Sequence, residues 1–352
     1  MRIAIVSSYP PRHCGIGSYA RAQVERLKKD GHDVTVISPP DGDGDIKVPF
    51  ADGRVFREVA RRGAAFERIV VHFQPGLYYT PGATAAVSKI RTSMALLSLV
   101  KRRPQVEILV HEAHPPTRWR PDHLLLRRAF AKAHLLFHTD AERRALERDY
   151  RISVRARLVD HRDGVRVEAA GNKEEARRRL GLDPAEPLLL CAGFIHPWKG
   201  FDRAIEAFAA SEGPGRLAIV GSVRDQTAEN LAYAATLRTL AAATESVTLV
   251  EAFQSDEDFD AWMTAADRVV LPYTRAWSSG ALARARVLGT PAIVSAVGGL
   301  AEQAGPNDIV VRSAEELRAA FQRVRRTARA GPTPAARDEH ALNHPGGTGA
   351  SG

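Results

Sequence analysis

Residues 1–38 read MRIAIVSSYPPRHCGIGSYARAQVERLKKDGHDVTVIS. The run Ile3-Ala4-Ile5-Val6 has no polar alternation, which predicts a parallel strand buried on both faces. A turn with two prolines follows, and then Tyr19, Ala20, Val24 and Leu27 recur at helical spacing. Gly31 ends that helix, expected over 18–30, and Asp33-Val34-Thr35-Val36-Ile37 makes a second strand. Strand, helix and strand form a βαβ unit, which implies a parallel sheet with a right-handed crossover.

The same alternation runs outward along the chain. Strands are expected at 68–72, 106–111 and 134–138, each followed by helical material, to about residue 165. Asp160-His161-Arg162-Asp163-Gly164 then breaks the periodicity, and a charged helix at 173–180 precedes Asp183-Pro184. The pattern restarts with strands at 187–193, 216–221, 247–250, 268–272 and 291–295. Helices are expected between them at 202–210, 228–243, 256–265 and 280–288. Two successive βαβ series predict an α/β protein of two Rossmann-like, doubly wound domains with a cleft between them, not one barrel. The expected bounds are 1–165 for the first domain, 166–186 for the connection and 187–330 for the second. A Pro-, Ala- and Gly-rich tail at 331–352 is expected to be disordered.

Composition narrows the class. The 352 residues are 44% hydrophobic and 26% charged, which is ordinary for globular domains. Cys14 and Cys191 stand far apart without metal-ligand spacing, so the expectation is a reducing compartment and no disulfide framework. No apolar stretch approaches the roughly 20 residues needed to span a bilayer, and the start does not read as a signal peptide. The expected location is cytoplasmic. A net charge of +9 fits either solvated Arg-rich helix faces or attraction to polyanions. No zinc-finger, RRM or basic-zipper pattern supports nucleic acid. Lys89 to Arg103 mixes apolar with basic residues, so it reads as a buried helix with a charged end or as a helix lying on an anionic membrane.

Several turns at the carboxyl ends of strands carry the chemistry. Gly15-Ile16-Gly17-Ser18 lets backbone approach a ligand closely, and the helix it opens offers N–H groups to an anion. The same residues would also serve a plain strand-to-helix turn. They make a poor dinucleotide fingerprint, because Ala20 replaces the third glycine and no acidic residue closes the second strand. Lys199, in Pro197-Trp198-Lys199-Gly200, places a point charge where a diphosphate could sit. Ser278-Ser279-Gly280 opens another helix, with hydroxyls fit to cap it or to bind phosphate. Gly298-Gly299 follows the last expected strand.

In these residues the sequence resembles the family 4 glycosyltransferases, retaining enzymes of the GT-B fold. The resemblance spans roughly residues 1 to 305. It rests on Gly15-Ile16-Gly17, Lys199-Gly200, Ala265-Ala266-Asp267 before Leu271-Pro272-Tyr273, and Leu288-Gly289-Thr290-Pro291 leading to Gly298-Gly299. It implies that Gly15, Gly17, Ser278, Ser279, Gly280, Gly298 and Gly299 surround a donor diphosphate neutralised by Lys199. It implies that His111 lies near the reacting sugar and that Gln74 touches sugar or acceptor. Two departures stand out. Ala276 and Arg284 occupy the positions of the family's Glu-x7-Glu pair, so its carboxylate to the ribose is missing. Phe194 stands where an arginine usually accompanies the lysine.

The expected function is transfer of a sugar from a nucleoside-diphosphate sugar to a small molecule, lipid or glycan, without a cofactor and without a divalent metal. His111, Lys199 and Arg284 are the expected catalytic residues, Arg284 adding positive charge across the cleft. The alternatives are a degenerate relative that binds a sugar nucleotide or a partner without turnover, and a phosphorylase or epimerase on the same fold.

Overall fold

A computed structural model of the chain describes residues 1–79, 84–113, 120–167 and 171–327. The tail expected at 331–352 lies outside the described residues. The first sheet contains seven strands: β1 (Arg2–Val6), β2 (Asp33–Ser38), β3 (Ile46–Lys47), β4 (Arg68–Phe73), β5 (Val106–Val110), β6 (His134–Phe137) and β7 (Arg155–Leu158). Their spatial order is β3-β2-β1-β4-β5-β6-β7. The second sheet contains β8 (Leu188–Ala192), β9 (Arg216–Gly221), β10 (Val247–Glu251), β11 (Arg268–Leu271), β12 (Ala292–Ser295) and β13 (Ile309–Val311), in the order β10-β9-β8-β11-β12-β13. Every pairing between these strands is parallel.

Burial explains the central strands. Ile3, Ala4, Ile5 and Val6 are wholly buried because helices cover both sheet faces. Helices Arg54–Arg62, Ala85–Arg102 and Pro121–Lys132 bury Val55, Phe56, Leu96, Leu99, Leu126 and Phe130 against one face. Helix Gly15–Lys29 buries Tyr19, Val24 and Leu27 against the other. Helix Ala85–Arg102 is thus a core element, though Val87 and Met94 face outward. No helix of the described residues is long and apolar enough to cross a membrane.

Three strands had no clear signature in the sequence. β3 has two residues, β13 three, and β7 (Arg-Ala-Arg-Leu) is an exposed edge whose charges suit an unpaired rim. Helix Lys173–Arg179, expected in the connection, docks on the second domain. There Arg177 is buried and donates to the Ala265 carbonyl at 3.0 Å, the Pro184 carbonyl at 2.6 Å and Asp267 Oδ2 at 2.9 Å. A short 3₁₀ turn, His161–Gly164, bridges the domains by packing on helices Gly15–Lys29 and Gly280–Val287.

Strand order reverses between β1 and β4 in one sheet, and between β8 and β11 in the other. In doubly wound folds such switch points open a crevice at the carboxyl ends of the strands. Here the two crevices share one space.

Candidate donor cleft

The shared space is a cavity of about 530 Å³. Turn residues 10–15 after β1 form one wall, and Gly193, Phe194, Lys199, Gly221 and Ser222 after β8 and β9 form the other. Phe253, Gln254 and Asp256 also line it, as do Gly280, Ala281 and Arg284. Five basic side chains (Arg12, Arg21, Arg166, Lys199 and Arg284) line it against one carboxylate, Asp256. Such a surface attracts an anion.

Two helices of opposite domains begin at this cavity, one at Gly15 and one at Gly280. Their first N–H groups have no partner within the helix and carry the positive end of the dipole. Lys199 is held between aromatic rings: its ammonium donates to the Tyr273 hydroxyl at 2.7 Å and lies 5.1 Å from the centre of the Trp198 ring. Gly200 makes this turn possible. Its φ is +62°, and a Cβ there would run into the Pro272 carbonyl.

Arg284 lines the cavity but is not a free cation. Its guanidinium contacts buried Asp260 and binds Asp256 Oδ1 at 3.1 Å, both from helix Asp256–Ala265. Asp256 Oδ2 in turn accepts from Arg21 of the first domain at 2.7 Å. Two carboxylates therefore offset two guanidiniums, and the extra positive charge expected from Arg284 is neutralised. The same contacts bring a carboxylate, Asp256, to the cavity from a neighbouring helix.

Other expected residues take structural places. Ser279 is the helix N-cap, accepting from Leu282 N at 3.3 Å, and its backbone pairs twice with the Gln303 side chain. Ser278 approaches buried Glu142 of the first domain. Burial raises the Glu142 carboxyl to about 7, opposed by donors from Ser278, Thr139 and His138. Gly298 and Gly299 do not line the cavity: a Cβ on either would strike the Ala276 or Trp277 carbonyl, so these glycines permit loop-on-loop packing. Gly17 packs on the backbone of Ser8 and Tyr9. Gln74 caps β4 and donates to Glu112 Oε2 at 3.2 Å, outside the cavity lining.

His111 belongs to a group that was not assembled from the sequence. Tyr19 packs its ring against His72, His111, His138 and His161, with centroids 5.2–5.6 Å away. Tyr19 and His161 line the cavity, whereas His111 lies behind Tyr19. Gln23 Oε1 accepts from His72 Nε2 at 2.9 Å, which leaves His72 Nδ1 to accept from His111 Nε2 at 3.1 Å. Burial lowers all four imidazoles, His72 to about 3 and His138 to about 4. The group is a neutral, polar floor. A signal existed: His72, His111 and His138 each stand at the end of successive parallel strands, which aligns them on one sheet edge.

Asp-x-Asp spacings occur at Asp41-Gly42-Asp43-Gly44-Asp45 and within 256–260. Asp45 accepts from Val36 N at 2.7 Å, and Asp256 and Asp260 hold Arg284. Among the described residues no group of three or more His, Cys, Asp or Glu is placed to hold a metal ion.

Residues 186–326 match the family model for glycosyl transferases group 1. The matched segment supplies Lys199, Gly280 and Arg284 to the cavity. A D-inositol 3-phosphate glycosyltransferase of Segniliparus rotundus is 36% identical over 134 residues. The match covers 37% of this chain and 29% of that protein, so it speaks for a part of each. Solved structures extend the likeness to both domains. Sucrose-phosphate synthase from Thermosynechococcus elongatus superposes with a TM-score of 0.68 at 18% identity, covering 94% of this chain and 90% of that one. Anabaena Alr3699/HepE, solved in complex with UDP, gives 0.67 at 14% identity, covering 94% and 95%. The two-domain architecture is the GT-B fold.

Proposed function

We propose that this chain is a glycosyltransferase that moves a sugar from a nucleoside-diphosphate sugar to an acceptor hydroxyl, keeping the anomeric configuration. One observation carries the reading: a basic cavity lies at both switch points, with Lys199 and two helix N-termini facing it. The group 1 match over the second domain supports the same donor class, and the Anabaena neighbour was solved with UDP-glucose as well as with UDP.

In the reaction, the bond from the anomeric carbon to the diphosphate breaks and a bond from the acceptor oxygen forms. The acceptor proton passes to the departing phosphate. Negative charge grows on the leaving diphosphate, where Lys199 and the helices starting at Gly15 and Gly280 stabilise it, a preorganised term often worth several kcal/mol. Positive side chains meet this charge without a divalent metal. The donor ribose lies toward Arg284 and Asp256, and Asp256 accepts from its hydroxyls in place of the missing glutamate. Two buried free cysteines fit a cytoplasmic, reducing setting.

Thermal shift with UDP, GDP, ADP and TDP tests the donor site, since a ligand of the native state raises stability. No shift with any of the four sinks the reading. A binding-only protein remains the second reading, favoured by the neutralised Arg284 and by His111 lying behind Tyr19. Donor-dependent product, or slow donor hydrolysis, removes it.

A further inference from the structure

Three helices lie side by side on the face of the first sheet opposite helix Gly15–Lys29. Arg54–Arg62 adjoins Ala85–Arg102, which adjoins Pro121–Lys132. The first two are in close register: Gly53 abuts Arg91 and Ala95, and Arg103 donates to the Ala60 carbonyl at 2.8 Å. Their outward faces share one composition. Arg54, Arg57, Arg61 and Arg62 are exposed on the first helix, Arg91, Lys101 and Arg102 on the second, and Arg127, Arg128 and Lys132 on the third.

Acidic residues hardly interrupt this surface. The three helices contain two, Glu58 and Asp122. Glu58 is bound by Arg61 and Arg62, and Asp122 is buried beside Arg120. Within the same face, Val87, Met94 and Leu124 are 48%, 56% and 46% exposed, three of the eight exposed large apolar side chains among the described residues. Their placement has a direction. Helices Ala85–Arg102 and Pro121–Lys132 follow β4 and β5, so their first turns stand at the carboxyl edge of the sheet, beside the cleft. Val87 and Leu124 lie in those first turns, while most of the basic residues are farther along.

We infer that this three-helix face docks the protein on an anionic lipid bilayer, with Val87, Met94 and Leu124 entering the interface and the arginines and lysines meeting lipid head groups. Charge complementarity selects this occupant. A nearly unbroken basic surface attracts an anionic leaflet, and apolar side chains among the basic ones gain from the acyl boundary, which a purely polyanionic partner does not offer. The docked orientation brings the cleft edge to the membrane, so the acceptor is membrane-borne. This inference rests on the transferase reading for the acceptor, but not for the docking itself.

The test is flotation of the full chain with vesicles of phosphatidylcholine alone and of phosphatidylcholine mixed with phosphatidylglycerol, at low and high salt. Binding to the mixed vesicles alone, weakened by salt, is expected. Each basic side chain removed should weaken vesicle affinity by about fivefold. Lys101→Glu with Arg127→Glu and Arg128→Glu should therefore abolish flotation, and Met94→Asp with Leu124→Asp should lower it at least tenfold. All these positions are exposed, and circular dichroism verifies folding of each variant. No flotation of the wild type with anionic vesicles at low salt overturns the inference. So does unchanged flotation of both variants, or binding to RNA or DNA without vesicle binding. Nucleoside-diphosphate thermal shift is measured on the same samples. Its retention by non-floating variants separates a failed docking face from a failed donor site.

Discussion

The Lys199 ammonium donates to the Tyr273 hydroxyl at 2.7 Å, and the Tyr273 and Trp198 rings stand perpendicular at 5.4 Å. The pair joins the turn after β8 to the turn after β11, one on each side of the switch point. It holds a cation at the cavity wall, and among the described residues no carboxylate forms an ion pair with it.

Lys199→Ala should lower turnover by about 10²–10³-fold, the usual cost of removing one preorganised stabiliser of a leaving-group charge. Tyr273→Phe should lower it less, because the charge remains and its position loosens. Steady-state kinetics with the donor found by thermal shift checks both. Near-normal turnover of Lys199→Ala removes this residue from the diphosphate site.

Gly200→Ala should cost about 1–3 kcal/mol, since it combines a positive φ with overlap on the Pro272 carbonyl. Lys199 should be displaced with it, so donor affinity and stability fall together. Urea unfolding and nucleotide titration on one preparation measure the two effects.

Arg284→Ala leaves Asp260 buried without its guanidinium and should destabilise the fold by about 3–5 kcal/mol. Adding Asp260→Asn should recover much of this loss. Stability of Arg284→Ala equal to wild type would show that the ion pair carries no structural role.

Stability should fall with acid. His72, His111, His138 and His161 stay neutral when folded, with pKa values below the ordinary 6.5. As pH drops through 6.5 the unfolded chain binds protons first, so stability declines by up to about 1.4 kcal/mol per pH unit for each histidine. Glu142 acts in the opposite sense. Its folded pKa is raised to about 7, so its contribution is full below the ordinary 4.5 and is lost as pH rises through 7. Glu142→Gln should accordingly gain about 1–3 kcal/mol above neutral pH and little below about pH 5. Urea midpoints across this range decide the sign.

Much of this architecture is legible in the chain. Uninterrupted apolar runs such as Ile3–Val6 and Leu188–Ala192 demand burial on both faces, and turn glycines mark where each strand ends. Helices 228–243 and 256–265 and strand 216–221 have the expected bounds. The short edge strands are not legible in the chain because pairing to a neighbour, not periodicity, makes β3, β7 and β13 strands.

For the cleft, sequence by itself determined two doubly wound domains and the presence of Gly15, Lys199 and Gly280 at carboxyl ends of strands, because local pattern and strand polarity suffice. Tertiary structure alone decided what each neighbour does. Arg284 looks like a spare cation until Asp256 and Asp260, 28 and 24 residues away, are seen to neutralise it. His111 looks like a lone strand-end histidine until Tyr19 gathers three others around it. Charge state and access depend on contacts between residues distant in the chain, and only the packed fold brings those together.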